Sequence, residues 1–235
     1  VLAHVPDTNG FVGSIELLLK KDGMAVIEVP YVRDLIRKCE FDTIYHQHLC
    51  YFSLTALDGL FSRHGLLLND VKELAIHGGS LRLYVSRSSH RSDHLLNLLD
   101  AEKEAGMDTV DFYRGFQRTV DNASASLREL LGDLKSQGNT VAAYGAAAKG
   151  CTLINYVGLG TDLLDYVVDR NPHKHGKFMP GHPLPIFDIT RLEEKPPDFL
   201  LLLAWNFADE IMGQQADYRD QGGKFIIPVP EPKVV

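Results

Sequence analysis

The pattern of apolar and polar residues in the first part of the chain predicts short strands around one helix. Residues 24–29 form an apolar, β-rich run that ends at Pro30, and residues 53–64 carry apolar side chains at helical spacing up to Gly65. The runs LLNDVKEL and GSLRLYVSR alternate and flank the turn IHGG. We expect a buried strand, a helix and two antiparallel strands that close a sheet.

Residues 92–137 are more polar and show no strand pattern. Their apolar side chains recur at helical spacing, at Phe116, Val120, Ala123, Leu127, Leu130, Leu131 and Leu134. This stretch is predicted to form one or two helices that connect two domains.

Predicted strands and helices alternate from residue 139 to the end. The strands are TVAAYGA, LLDYVVD, FLLLLAW and KFIIPVP, and the helices between them include KGCTLINYVGL and ADEIMGQQADYRDQG. Such alternation indicates a parallel α/β sheet. We therefore expect an α/β protein in three parts: residues 1–90, a helical connector at 91–137, and a second α/β domain at 138–235.

Composition and charge narrow the classes of function. A hydrophobic content of 45% is enough to bury cores, and the formal charge of -7 argues against binding to the phosphate backbone of nucleic acids. The longest apolar runs are too short to span a membrane. The chain has three cysteines, Cys39, Cys50 and Cys151, without CxxC spacing. An odd number of cysteines without this spacing favours reduced thiols and a cytoplasmic location.

The glycine turn YGAAAKG lies between a predicted strand and helix, where backbone N–H groups can meet a phosphate or carboxylate. Lys149 would add positive charge. Asp169 ends the next strand, 24 residues after Gly145, near the place where a dinucleotide-binding fold puts its ribose acid. The GxGxxG fingerprint is absent, so an NAD site and a tight turn without a ligand both stay open.

Two further polar stretches have structural and functional alternatives. DRNPHKHGKFMPGHPLPI holds three histidines in a loop without spaced cysteines, which favours an anion or sugar contact, or a solvated loop, over zinc. IHGGSLR places His77 and Arg82 around two glycines, which permit either a structural bulge or the close approach of a ligand. We expect no metal site in either stretch.

The segment DTIYHQHLCYF is rich in groups that can transfer protons. His46 and His48 are two residues apart, so the i, i+4 spacing of a helical zinc site is missing. Histidine suits proton transfer at neutral pH, and Tyr45 and Gln47 could donate hydrogen bonds to an oxyanion or orient the base. Catalysis and a purely structural polar role are the alternatives.

Seven segments together resemble, in order along the chain, the class I S-adenosylmethionine-dependent C-methyltransferases that act on nucleotide-linked keto-deoxysugars. They are VLAHVPD, GMAVIEVPY, FDTIYHQHLCYFS, HGGSLRLYV, YGAAAKG, VVDRNPHKHGKFMPGHPLPI and LLAWNFADEI. The resemblance implies the C-terminal part of a Rossmann-like methyltransferase sheet, followed by a second Rossmann-like domain that binds the sugar nucleotide.

The resemblance also implies roles for single residues. His48 matches the base that removes a proton beside the keto group, His4 matches a position near the reacting centre, and Tyr45 is a further catalytic candidate. Gln47 stands where the family often has glutamate, and its amide can still hold an imidazole or a sugar hydroxyl. The expected substrate-binding residues are Tyr144, Gly145, Lys149, His77, Arg82 and Asn171.

The expected methyl donor is S-adenosylmethionine, and the expected partner is a nucleotide-diphosphate keto sugar. The glycine-rich loop that holds the donor in class I enzymes does not precede the first predicted strand, so we expect the chain to be a fragment whose donor site lies mostly in a missing N-terminal part. Two other functions stay open. One is a nucleotide-sugar-binding module without catalysis, and the other is an NAD-dependent oxidoreductase built on Gly145 and Asp169.

Overall fold

The structure, a computed structural model, describes the backbone of residues 1–235 and all side chains except that of His77. The chain forms two compact units. The N-terminal unit contains Val1–Glu40 and His46–Gln117, and the C-terminal unit contains Phe41–Tyr45 and Arg118–Val235. The short segment Phe41–Tyr45 thus belongs to the unit formed by the second half of the sequence.

The N-terminal unit places helices around a small sheet. Its elements are α1 Thr8–Leu18, β1 Met24–Pro30, α2 Val32–Arg37, α3 Leu54–Arg63, β2 Leu67–Leu74, β3 Ser80–Ser86, α4 Asp93–Glu104 and α5 Val110–Arg114. Side-chain oxygens cap the longer helices: Asp7 accepts from the Gly10 N–H, and Ser53 accepts from the Ala56 N–H. The predicted strands and the helix at 53–64 are confirmed, while the start of α1 was not predicted.

Strand β3 lies between β1 and β2 and is antiparallel to both. Its residues alternate as the sequence pattern predicted, with Leu81, Leu83 and Val85 fully buried in the core. Leu95 and Leu98 of α4 pack into the same core. Residues from the predicted connector therefore contribute to the N-terminal unit.

The buried carboxylate of Glu102 on α4 joins three elements of this unit. Its oxygens accept hydrogen bonds from the Tyr31 hydroxyl at 2.8 Å, the Leu54 N–H at 2.7 Å, and both the N–H and the hydroxyl of Thr55 at 2.8 and 2.6 Å. The N–H groups of the first turn of α3 have no partner within the helix, so an acidic side chain is stabilising there. Glu102 therefore fixes the start of α3 from a distant part of the sequence.

The C-terminal unit is an α/β layer structure. Its elements are α6 Phe116–Ser136, which begins just before the unit boundary, then β4 Val141–Tyr144, α7 Ala148–Val157, β5 Val167–Val168, β6 Ile186–Phe187, α8 Arg191–Glu194, β7 Phe199–Leu202, α9 Ala208–Gln214, α10 Ala216–Asp220, β8 Lys224–Ile227 and β9 Lys233–Val234. The predicted α/β class is confirmed. The predicted helix at 208–222 is divided in two, and β6 and β9 were not predicted.

The sheet of this unit has the strand order β6-β5-β4-β7-β8-β9, parallel except for β9. The chain leaves β4 towards β5 on one side and returns to β7 on the other. In open α/β sheets a crevice forms at the carboxyl ends of the strands where the order reverses in this way. A ligand site is therefore expected at the ends of β4, β5 and β7.

The compact units divide the predicted connector between them. Residues 91–117 belong to the N-terminal unit and residues 118–137 to the C-terminal unit, so the division lies at 117/118 rather than at 90 and 137. The reason is contacts: α4 buries Leu95 in the first core, whereas on α6 Lys135 donates to Asp165 and Arg128 donates to the Gly158 carbonyl, both in the second unit. Among the described helices, none has the length and apolar character needed to cross a membrane.

Candidate functional site

His4 and His48, far apart in sequence, lie side by side in the N-terminal unit. Their ring centroids are 5.0 Å apart, with the planes at 73°. Backbone hydrogen bonds from the N–H groups of Leu49 and Cys50 to the carbonyl oxygen of Ala3 hold the two segments together. His48 is half-buried and His4 is exposed. The structure thus brings together the two histidines that the sequence singled out.

Tyr45 to Gln47 form a turn, neither helix nor strand. The side chains of His46 and Gln47 are exposed, and the His48 ring lies edge-on to Tyr51 with centroids 6.4 Å apart. Two of the catalytic candidates in this segment belong to different units: Tyr45 to the C-terminal unit and His48 to the N-terminal unit.

Asp42, three residues before Tyr45, is a functional candidate that sequence reasoning did not select. It is fully buried, and burial raises its pKa to about 6, although nearby Lys149 and a hydrogen bond from Trp205 act in the opposite direction. Burial and the charge of Asp42 raise the pKa of Tyr45. The local sequence around Asp42 does not indicate that this side chain is buried. Its neighbours Lys149 and Trp205 lie more than 100 residues later in the chain.

A pocket of about 260 Å³ lies in the C-terminal unit where β4, β5 and β7 end. Its walls include Tyr144, Gly145, Arg170, Phe207 and Glu210. The Tyr144 hydroxyl is buried and has no hydrogen-bond partner among the described residues. Burial, the largest effect, raises its pKa, so the phenol stays protonated and can donate a hydrogen bond. The pocket occupies the switch point of the sheet, as the topology requires.

Gly145 and Asp169 shape this pocket through backbone contacts. Gly145 has φ +101°, a conformation that favours glycine, and its N–H donates to the Val168 carbonyl. The Asp169 carboxylate accepts from the Ala146 N–H at 2.7 Å, from the Asn171 N–H at 2.8 Å and from Lys174 at 3.0 Å. Asp169 thus holds the glycine turn and the following loop, rather than standing free as the ribose acid of a dinucleotide site.

Two other predicted substrate-binding residues of this unit have protein partners. Lys149 lies in the first turn of α7, where it donates to the Asn206 side chain and lies over the Trp205 ring. Asn171 caps a short 3₁₀ helix by accepting from the His173 N–H at 3.0 Å, and it does not line the pocket. The structure therefore brings Tyr144 and Gly145 together in the pocket wall and leaves Lys149 and Asn171 outside it.

Arg82 forms an ion pair on the sheet of the N-terminal unit. It lies opposite Glu28 in the register of β3 and β1, and its Nε donates to Oε1 of Glu28 at 2.5 Å. Oppositely charged side chains in facing positions stabilise antiparallel strands. Glu28 lies on a strand that is distant in sequence, so the sequence around Arg82 did not predict this ion pair. The side chain of His77 lies outside the described residues.

The glycines of IHGG approach carboxylates of the protein itself. Gly78 has φ +90°, and a Cβ atom there would overlap the buried Glu40 carboxylate. The Lys38 ammonium donates to the Gly78 carbonyl. Gly78 therefore makes a close approach to a side chain of the N-terminal unit itself, and the alternative of a ligand at these glycines stays a prediction.

Gly78→Ala is expected to lower the free energy of unfolding by about 1–3 kcal/mol, because alanine is strained at this φ and Glu40 must move. Gly132→Ala is the matched control: it lies within α6 with open space around it and should raise stability by about 0.5–1 kcal/mol. Urea unfolding measures both. A Gly78→Ala protein as stable as the wild type would contradict the assignment.

The histidines of the 169–186 loop have separate surroundings. The His175 ring nitrogen Nε2 lies 2.7 Å from the Asp169 carbonyl oxygen, and His173 is exposed. Among the described side chains, no three His, Cys, Asp or Glu residues are grouped in a way that could hold a metal ion. Through its contact with the Asp169 carbonyl, His175 links the loop to the end of β5.

Comparison with known proteins gives matches over nearly the whole chain. A family model described as a C-methyltransferase C-terminal domain matches residues 75–230, and one described as a methyltransferase domain matches residues 1–70. The C-methyltransferase NovU of Streptomyces niveus is 37% identical over 238 residues, which cover 99% of this chain and 56% of NovU. The chain thus spans somewhat more than half the length of this relative.

Proposed function

The chain belongs to the C-methyltransferase family, as the sequence resemblance predicted, and on that premise we propose that it acts in methyl transfer to the carbon beside the keto group of a nucleotide-linked deoxysugar. The observation that carries this proposal is the pair of His4 and His48, whose ring centroids are 5.0 Å apart. One imidazole can act as the base while the other donates a hydrogen bond to the developing oxyanion.

His48 is the proposed general base. A proton on the carbon beside a ketone can be removed because the resulting charge spreads onto the oxygen, giving an enolate. His48 takes this proton on a ring nitrogen, and His4 stabilises the enolate oxygen. Tyr45 is a further hydrogen-bond donor, and the Gln47 amide can hold an imidazole or a sugar hydroxyl without acting as an acid or base.

When bound, S-adenosylmethionine would supply the methyl group as an electrophilic sulfonium, and its sulfur would keep the electrons of the broken carbon–sulfur bond. Class I enzymes hold this donor on a glycine-rich turn between a strand and a helix. In the N-terminal unit, β1 leads into α2 through Tyr31, and the glycine at 78 approaches Glu40. Neither turn fits the donor, so the mechanism proposed for this chain concerns the acceptor.

The pocket at the switch point is the proposed site for the nucleotide part of the acceptor. The Tyr144 hydroxyl is a buried donor without a described partner, Arg170 adds positive charge, and the exposed Phe207 ring offers a flat apolar surface. A nucleoside diphosphate presents hydrogen-bond acceptors, a planar base and negative charge. These complementary features support the proposal that the C-terminal unit binds the sugar nucleotide.

Tyr144→Phe should weaken binding of thymidine diphosphate about 5- to 30-fold, since a hydrogen bond that binding completes is worth about 1–2 kcal/mol. The same change should leave the free protein at least as stable as before, because it removes a buried hydroxyl without a partner. Calorimetric titration and thermal unfolding measure the two effects.

Tyr166→Phe provides the matched control. The Tyr166 hydroxyl donates to the Lys195 carbonyl at 2.7 Å, away from the pocket wall. This variant should lose stability and keep its affinity for thymidine diphosphate. Equal affinities for wild type and Tyr144→Phe would remove Tyr144 from the proposed site.

Exchange of the acidic proton with solvent deuterium tests the proposed function without a methyl donor. The protein is mixed with keto-deoxysugar nucleotides in heavy water, and uptake of deuterium beside the keto group is followed by NMR. His48-dependent exchange supports the proposed base, and addition of S-adenosylmethionine should then give the methylated sugar. Binding without exchange or methylation would favour a nucleotide-sugar-binding module instead.

A further inference from the structure

Trp205, the one tryptophan of the chain, follows β7 and donates from Nε1 to Oδ2 of Asp42 at 2.7 Å. The Lys149 ammonium lies 3.7 Å from the centroid of the Trp205 ring and donates to Oδ1 of Asn206. Asp42 itself is fully buried. These four side chains, all of the C-terminal unit, form what we call the Asp42 cluster.

The Asp42 cluster holds a segment that has little local stability. Phe41–Thr43 is a single turn of 3₁₀ helix, and such short turns rely on contacts with the rest of the protein. The Phe41 ring packs against Tyr156 of α7 with centroids 5.1 Å apart. Tyr45 lies two residues after the end of this turn. The contacts that hold Asp42 therefore also restrict the position of Tyr45.

A buried carboxylate is a poor choice if stability alone is required. Removing the charge from water costs several kcal/mol, and apolar residues of similar volume often stabilise a protein equally well or better. A hydrogen-bonded carboxylate instead fixes a direction, because the indole N–H and the Lys149 charge restrict where Asp42 can lie. The arrangement therefore favours orientation of the segment as the role of Asp42.

The turn that carries Trp205 also forms part of the pocket wall. Trp205–Phe207 is a 3₁₀ turn, and Phe207 lines the switch-point pocket together with Tyr144. Trp205 and Phe207 share one backbone turn, so a ligand that shifts this turn by packing against Phe207 would also shift Trp205, and through its hydrogen bond Asp42. One continuous set of contacts thus runs from the pocket to the segment that carries Tyr45.

We propose that Asp42 and Trp205 are positioning residues that set Tyr45 for methyl transfer and couple its position to occupancy of the switch-point pocket. The assignment of Tyr45 to methyl transfer rests on the proposed function. The coupling between the pocket and the Asp42 cluster is a property of the C-terminal unit and can be tested without any reaction.

Trp205 is its own reporter, because all tryptophan fluorescence of the chain comes from this residue. The full chain is titrated with thymidine diphosphate, while calorimetry records binding independently. A saturable change in emission that follows the binding curve supports the coupling. Binding without any change in emission would overturn it, even if the protein proves to be an active methyltransferase.

A pH titration of the same emission identifies Asp42. The charged and titratable groups around Asp42 include Lys149 on α7 and Tyr45 on its own segment, and burial together with the charge of Asp42 raises the pKa of Tyr45. The emission should change with a midpoint near 6 in the wild type and in Asp209→Asn, an exposed acid at the start of α9. This pH-dependent change in emission should be absent in Asp42→Asn. If the change persists in that variant, it belongs to a histidine, and Asp42 is removed from the proposal.

Kinetics of methyl transfer test the positioning role itself. Trp205→Phe keeps an aromatic ring beside Lys149 and loses the N–H donor, so kcat should fall about 10- to 100-fold while KM for the sugar nucleotide changes little. Asp42→Asn keeps an acceptor for the indole and should retain most of kcat at neutral pH. An unchanged kcat in a folded Trp205→Phe protein would overturn positioning of Tyr45 through Trp205.

Discussion

His48→Asn is expected to lower the rate of methyl transfer by about 10²- to 10⁴-fold, the range that a positioned general base supplies. Asparagine keeps a polar side chain of smaller size but cannot take up the proton. The same variant should lose deuterium exchange beside the keto group to a similar extent. Mass spectrometry of the sugar nucleotide and NMR in heavy water measure the two losses.

His94→Asn is the matched control for this change. His94 is exposed on α4, far in sequence from both candidate histidines, and its replacement should leave the rate as it is. His4→Asn should lower the rate about 10²- to 10³-fold, as expected for loss of an oxyanion donor. A His48→Asn protein with wild-type exchange would assign the base to another residue.

Glu102→Gln is expected to destabilise the N-terminal unit by about 3–5 kcal/mol, the range for removing one partner of a buried charged network. The amide nitrogen of glutamine would face N–H groups of Leu54 and Thr55 that now donate to a carboxylate. One of those donors would lose its partner in a buried site, and α3 would lose a favourable charge at its N-terminus. Urea unfolding followed by circular dichroism measures the change.

Glu104→Gln tests whether this loss depends on the buried network. Glu104 lies two residues later on α4 and is exposed, so its replacement should change stability by less than about 0.5 kcal/mol. Similar unfolding curves for the two variants would mean that Glu102 contributes no more than a surface charge.

The hydrophobic pattern predicted most of the elements that carry the candidate site. Alternation in β3 and helical spacing in α3 depend on side chains within one element, so the sequence alone reveals them. The alternation of strands and helices after residue 139 likewise predicted the parallel sheet, and its topology explains why the pocket lies beside Gly145. The resemblance points to His4 and His48, whose ring centroids lie 5.0 Å apart in the structure.

Other parts of the site could not be inferred from local patterns. The roles of Asp169, Arg82 and Gly78 depend on partners from other segments: the Ala146 N–H, Glu28 and Glu40. The compact units divide the predicted connector: Leu95 of α4 lies in the core of the N-terminal unit, whereas Lys135 of α6 pairs with Asp165 of the C-terminal unit. Amphipathic spacing shows that a helix has an apolar face without showing which residues cover it.

The sequence by itself determined the α/β class, the family and the chemical nature of the candidate groups, because these depend on residue types and their order along the chain. Only the tertiary structure decided which groups meet: His4 with His48, Glu102 with the start of α3, and Asp42 with Trp205. Burial decides their chemistry, since the pKa of Asp42 rises to about 6 only when folding removes its carboxylate from water.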